Sequence, residues 1–361
     1  MTGALFVDSA MMQANRVTRA GAACVKWSRV ARRVALLWCA SSVVGLAAAA
    51  DRPIGPPERS VAEWLVRLQQ ATNMQSYAGT FVVSSASGAL SSSRIWHVCD
   101  GEVQLERVDA LTGTPRTTLR RNEAVMTFLP QSRTVRTEQR DAMGVFPNLL
   151  APGKDFSTAD YYAARQVGQG RVAGFDADIV LLSPRDGKRF GYRIWSEQRT
   201  GLVVKTQTLD AGGRVLEQAA FSELLLDVPA QAGQLQQMMA ATDGYRVEKS
   251  EHVRTSAEAE GWRLKAEVPG FRPQQMYRRR APNAVTMVQW IFSDGLATVS
   301  LFLEPFDGQR HGAEGMAAMG ATHTLLRRVP AATGDWWLTA VGEVPVQTLQ
   351  VFAQNLERRN P

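Results

Sequence analysis

The stretch SVAEWLVRLQQATNMQSYAGTFVVS, residues 60–84, changes its period halfway along and so decides the fold. In its first half Val61, Trp64, Leu65, Leu68 and Ala71 recur every three or four positions, which is the spacing of one helix face. Ser60 and Glu63 stand at capping-box spacing, where hydroxyl and carboxylate each satisfy an orphan N–H of the first turn. From Tyr77 to Ser84 the composition turns to Tyr, Thr, Phe and Val, the residues of a strand. An amphipathic helix with one apolar face to bury therefore runs directly into a sheet.

Downstream the strand pattern continues to Asp227. Strands are predicted at Arg94–Cys99, Val103–Val108, Thr117–Arg121, Ala124–Leu129, Thr134–Glu138, Phe175–Leu182, Phe190–Ser196, Leu202–Leu209 and Val215–Leu226. Ser87–Gly88, Asp100–Gly101, Asp186–Gly187 and Gly212–Gly213 supply turns between them, and Gly168, Gly170 and Gly174 read as a further turn. Ten or so strands joined by short connections imply a large antiparallel sheet that curls into a sandwich or an incomplete barrel. Phe146–Ala164 is less regular, with a short helix expected over Thr158–Ala164. Ala230–Met239 reads as another short helix, and the charged stretch from Thr242 to Gly261 as a boundary between units. Beyond it come strands at Trp262–Val268, Val285–Ser293, Ala297–Pro305, Thr322–Val329 and Trp336–Val341. A terminal helix opened by Pro345 then gathers Val346, Leu349, Phe352, Ala353 and Leu356 on one face. The expected fold class is mainly β with α+β character: a large unclosed sheet with helices, then a smaller antiparallel sheet with a terminal helix.

Upstream, Arg16, Arg19, Lys26, Arg29, Arg32 and Arg33 precede an apolar run, Val34–Ala50, that ends in four alanines. This is the pattern of an export signal cleaved near Ala50, with a retained membrane anchor as the competing reading. The expected organisation is 1–50 signal, 51–240 large unit, 241–260 linker and 261–361 second unit. A mean hydropathy of −0.18 excludes a polytopic membrane protein. Residues 1–50 hold six of the 41 Lys+Arg and one of the 34 Asp+Glu, so the remainder carries 35 basic and 33 acidic side chains. The basic isoelectric point thus belongs to the signal, and a nucleic-acid partner is not expected. Cys24 and Cys39 also lie in the signal. The remaining Cys99 reads as a small buried hydrophobe, with a reactive thiol as the alternative.

Motifs for catalysis are missing: no G-x-S-x-G, H-E-x-x-H or P-loop sequence occurs. His97, His252, His311 and His323 are scattered without neighbours at ligand spacing, so neither metal nor cofactor is expected. The serines of Ser84–Ser93 read as a hairpin tip. Binding surface is what remains. Trp64, Leu65, Phe81, Val83, Trp96, Leu105, Phe128 and Trp195 are the candidates to line an apolar lipid cavity, set against the plainer reading that any single one of them packs in a closed core. Arg278, Arg279 and Arg280 form the densest basic run after residue 50, a candidate for acidic partners or lipid phosphates unless it is a solvated loop before Pro282.

Several segments together resemble the RseB/MucB family of periplasmic regulators. They are Trp64-Leu65, Tyr77-Ala78-Gly79-Thr80-Phe81-Val82, Gly261-Trp262, Val268-Pro269-Gly270-Phe271, Ser293-Asp294-Gly295-Leu296 and Val341-Gly342-Glu343-Val344-Pro345. They occur in the family's order across nearly all the chain after the signal; the long N-terminus and the Ser84–Ser93 hairpin depart from it. The resemblance implies a large domain similar to the lipoprotein carriers LolA and LolB, with an apolar cavity, and a smaller C-terminal α+β domain. It also implies binding to the periplasmic part of a membrane-spanning anti-sigma factor of the RseA/MucA type, protection of that partner from proteolysis, and release on occupancy by lipopolysaccharide or lipoprotein acyl chains. A homo-oligomer is left open. A lipid carrier and an envelope hydrolase with a dispersed site are the other two functional classes to be separated.

Overall fold

The computed structural model describes residues 60–100, 103–139, 146, 158–229, 232–249, 252–280, 286–332 and 334–359. The expected signal and its Pro-rich spacer lie outside the described residues. The opening helix α1 (Val61–Met74) starts as its sequence predicts: Ser60 Oγ accepts from the Glu63 N–H at 3.2 Å, and the Glu63 carboxylate accepts from the Ser60 N–H at 2.7 Å. Its apolar stripe is buried, and Leu65 is wholly inaccessible. Removing such a side chain from water contributes roughly 1.5–3 kcal/mol.

Eleven strands follow: β1 (Tyr77–Ser85), β2 (Leu90–Asp100), β3 (Val103–Ala110), β4 (Thr117–Arg121), β5 (Ala124–Leu129), β6 (Thr134–Gln139), β7 (Tyr162–Val172), β8 (Phe175–Pro184), β9 (Gly191–Glu197), β10 (Val203–Leu209) and β11 (Val215–Leu226). A four-residue helix α2 (Thr158–Tyr161) precedes β7, and a longer one, α3 (Ala232–Ala240), follows β11. With β12 (Arg246–Lys249) they form a 12-stranded sheet ordered β12-β6-β5-β4-β3-β2-β1-β11-β10-β9-β8-β7. The two edges are β12 and β7, so the sheet stays open. β1 sits in its interior, antiparallel to both β2 and β11. Gly79 explains part of the opening motif. A Cβ there would run into the Glu223 carbonyl oxygen of β11, beside the register shift at Thr80/Phe81.

The second unit is a seven-stranded antiparallel sheet, ordered β13-β15-β16-β17-β20-β19-β18. Its strands are β13 (His252–Thr255), β15 (Arg272–Arg280), β16 (Thr286–Ser293), β17 (Thr298–Pro305), β18 (Gly315–Met319), β19 (Thr322–Val329) and β20 (Trp336–Gly342). The terminal helix α4 (Val346–Asn355) seats Phe352 on Phe271 and Phe292, with ring centroids 5.7 and 4.9 Å away. A separate ribbon pairs β14 (Trp262–Leu264) with β21 (Leu356–Arg358).

Several expectations need correction. Ser91, Ser92 and Ser93 belong to β2, opposite Val83, Val82 and Phe81, so the hairpin tip is shorter than the serine run. Gly168 and Gly170 lie inside β7 rather than in a turn, and the helix predicted over Thr158–Ala164 stops at Tyr161. The charged segment 241–260 contributes an edge strand to each sheet, β12 beside β6 and β13 beside β15. Pro345 is the N-cap of α4, not its first helical residue.

Candidate functional site

Side-chain alternation gives the large sheet two apolar faces. On the face that carries α1, Trp64, Leu65 and Leu68 pack with Tyr77, Phe81, Val83, Ile95 and Phe221. The opposite face of β3–β6 buries Leu105, Leu119, Phe128 and Val135 beneath Leu235 of α3. The eight cavity candidates are therefore not brought together. Trp64, Leu65, Phe81, Val83 and Trp195 share the first cluster. Leu105 and Phe128 belong to the second. Trp96, on that second face, is half-buried with the Arg94 and Arg107 guanidinium groups 5.9 and 5.0 Å from its ring. Trp195, buried in the first cluster, has Lys205 Nζ 4.5 Å from its ring.

The basic run is split in the same way. Arg278 and Arg279 are neighbours on β15, so their side chains leave on opposite faces and do not form one patch. Arg278 is exposed and pairs with Glu260 at 2.7 Å, while Arg279 is half-buried. The side chain of Arg280 lies outside the described residues. The alternative of a solvated loop is also overturned, since β15 is paired on both sides.

The most highly organised polar site joins the two sheets. Arg189, in the connection before β9, is fully buried. Its Nε donates to Asp294 Oδ2 at 2.6 Å, one terminal nitrogen donates to Asp186 at 2.5 Å, and the other to the Pro269 carbonyl at 2.6 Å. The rings of Tyr161 and Phe271 lie 4.2 and 4.8 Å from the guanidinium carbon. Asp294, between β16 and β17, accepts the backbone N–H groups of Leu296 and Ala297 at 2.9 and 2.7 Å, and the Tyr162 hydroxyl donates to it at 3.3 Å. Thr158 Oγ donates to the Asp294 carbonyl at 2.8 Å. Burial pushes the Asp294 carboxyl up, against the pull of Arg189 and the two backbone donors. Gly270 is needed here: its φ is +80° and the space of a side chain is taken by Arg189 and Tyr161. Two of the segments singled out in the sequence, Val268–Phe271 and Ser293–Leu296, thus meet at this junction. No short-range pattern announces the pairing, because 105 residues separate Arg189 from Asp294.

A second cluster was also missed. His97 and Cys99 lie on one face of β2, with His97 Nε2 3.3 Å from the Cys99 sulfur. Glu106, directly opposite on β3, places a carboxylate oxygen 3.4 Å from His97 Nδ1. Tyr77 stacks on the imidazole at 5.0 Å. Burial opposes charge on His97, but the facing thiol and carboxylate outweigh it and raise the imidazole to about 9. Burial likewise opposes charge on Glu106, and His97 with Arg120 brings it below its ordinary value. Among the described residues no group of three His, Cys, Asp or Glu is placed to hold a metal ion. No helix among them is long and apolar enough to cross a membrane.

With this geometry in view, the chain matches the MucB/RseB N-terminal domain over residues 60–239 and the MucB/RseB C-terminal domain over residues 256–357. It is 31% identical over 300 residues to the sigma factor AlgU regulatory protein MucB of Pseudomonas aeruginosa, covering 81% of this chain and 90% of that one. To the sigma-E factor regulatory protein RseB of Escherichia coli K12 it is 24% identical over 334 residues, covering 89% and 98%. The solved complex of Pseudomonas aeruginosa MucA and MucB superposes with a TM-score of 0.64 at 27% identity, over 83% of this chain and 99% of the other. These matches run through both sheets and the junction between them, and the chain belongs to the MucB/RseB family of sigma factor regulatory proteins.

Proposed function

We propose that the protein is an exported, periplasmic negative regulator of a sigma-E-type envelope stress response, acting by binding and not by catalysis. It holds the periplasmic part of a membrane-spanning anti-sigma factor of the RseA/MucA type, shields it from proteolysis, and releases it when lipopolysaccharide or lipoprotein acyl chains bind. One observation carries this reading: the likeness to MucB, solved with MucA, extends over the large sheet, the Arg189–Asp294 junction and the second sheet alike. Within it we assign residues 1–50 to the export signal, 51–240 to the lipid-sensing domain, 241–260 to the connection and 261–361 to the second domain. Trp64, Leu65, Phe81 and Val83 are the acyl-chain contacts best placed to act together, because they join α1 to one face of the sheet. Of Arg278 and Arg279, Arg278 is the better exposed to an acidic partner.

The open sheet also favours a second reading, a lipid or lipoprotein carrier without a protein partner. Capture experiments separate the two. The protein from Asp51 onward is mixed with the periplasmic segment of the anti-sigma factor from the same organism, with and without lipopolysaccharide. Tight capture that the lipid weakens supports the regulator, since each ligand must lower the other's affinity by the same factor. Lipid retention without capture of the segment overturns it in favour of the carrier.

A further inference from the structure

Cys99, His97 and Glu106 stand in the order sulfur, imidazole, carboxylate. Cys99 Sγ lies 3.3 Å from His97 Nε2, and His97 Nδ1 lies 3.4 Å from the Glu106 carboxylate. Such a row favours a sulfur nucleophile: an imidazolium beside the sulfur stabilises its anion, and a carboxylate on the far side of the ring stabilises the imidazolium. The surroundings hold it in place. His97 is buried and stacked on Tyr77, the Cys99 backbone N–H donates to Ser76 Oγ at 3.2 Å, and β2–β3 pairing fixes Glu106 opposite His97. The charged and titratable groups around the imidazole are Tyr77 from β1, Cys99 on its own strand and Glu106 from β3; Arg120, from β4, faces Glu106. Cys99 as a residue is half-buried.

We propose that Cys99 is a site of S-thiolation, reacting with low-molecular-weight disulfides. The Cys99 thiol gives its proton to water, and the sulfur anion, facing the His97 imidazolium, attacks one sulfur of a disulfide R–S–S–R. The Cys99–S bond to that sulfur forms as the S–S bond breaks, and the leaving R–S anion takes a proton from water. One thiol and one disulfide give one mixed disulfide and one thiol, with no other oxidant. Glu106 is a positioning residue that holds the imidazole and stabilises its charged form. The event is stoichiometric. It places a bulky group beside Tyr77 and the residues Gln75 and Ser76 that follow α1, at the end of the apolar face on which that helix lies.

The test is the rate of glutathione addition from glutathione disulfide at pH 6.5, read by mass spectrometry on the peptide that contains Cys99, so that Cys24 and Cys39 do not contribute. The sulfur anion is the attacking form in such reactions, and a cation facing it stabilises the charge. The folded chain is expected to react at Cys99 at least about ten-fold faster than the same chain unfolded in urea. His97→Asn should abolish that advantage, and Glu106→Gln should reduce it. A folded rate no higher than the unfolded one overturns the proposal, and that comparison needs no variant to fold. Retention of the full rate in folded His97→Asn overturns it as well.

Discussion

Arg189 meets Asp294 at 2.6 Å and Arg278 meets Glu260 at 2.7 Å, so bond length does not distinguish the two pairs. Their surroundings do. Both side chains of the first pair are 0% exposed, whereas the Arg278 side chain is 52% exposed. In the first, further hydrogen bonds from both sheets complete the shell of each charge; in the second, water competes for the arginine. Charge removed from solvent has to be matched in place, so the buried pair constrains where the two sheets sit and the exposed pair constrains little. His97 and Glu106 fall between these extremes, with side chains 6% and 26% exposed.

Breaking the buried pair should have the largest effect. Arg189→Ala leaves Asp294 buried without its main partner and should cost about 3–5 kcal/mol, read as a lower urea midpoint. The double replacement Arg189→Met with Asp294→Leu should recover most of that loss, because Asp186, which also loses its arginine, is partly exposed and no fully buried charge then remains unpaired. Failure to recover would mean that the hydrogen bond to the Pro269 carbonyl, not the ion pair with Asp294, joins the sheets.

The intermediate pair should show itself through pH. The His97 imidazole is raised to about 9 in the fold from an ordinary 6.5. Its stabilising contribution is therefore complete below about 6.5 and is lost as pH rises through about 9. On the order of 1–3 kcal/mol should disappear over that interval in urea titrations, and His97→Asn should flatten the profile. Glu106, lowered in the fold, works in the opposite sense: its contribution is lost as pH falls below the ordinary carboxylate range.

Smaller effects calibrate the series. Ser60→Ala removes the α1 cap and should cost about 1 kcal/mol. Arg278→Ala should change stability by less than about 1 kcal/mol, as exposed pairs do. If it cost as much as Arg189→Ala, burial would not be the variable that separates the two arginines.

Much of this architecture was legible because local physics agrees with the fold. The Ser60–Glu63 cap, the exact limits of Thr117–Arg121, Ala124–Leu129 and Thr322–Val329, and the helix after Pro345 all follow from spacing and composition. β7 did not, because its glycines resemble a turn. Trp195 packs against Gly170, so the small residue answers a neighbouring strand and not a bend. β12 and β13 were hidden in a charged run because edge strands this short take their conformation from β6 and β15. The His97–Cys99–Glu106 cluster was within reach. Residues two apart share a face, and pairing Asp100 with Val103 across the turn brings Glu106 opposite His97. The Arg189–Asp294 junction was not, since partners from separate sheets leave no periodic trace. The basic run misled for the reason β-structure always alternates: adjacency in sequence opposes side chains across a sheet.

The passage from β12 to β13 has a mechanical consequence. Lys249 ends a strand zipped to β6, and His252 begins one zipped to β15, with two residues between them. Three peptide links reach at most about 11 Å. If either sheet swings farther than that slack allows, the tether must unzip four residues from one border or the other, turning a rotation into a freshly bared strand margin.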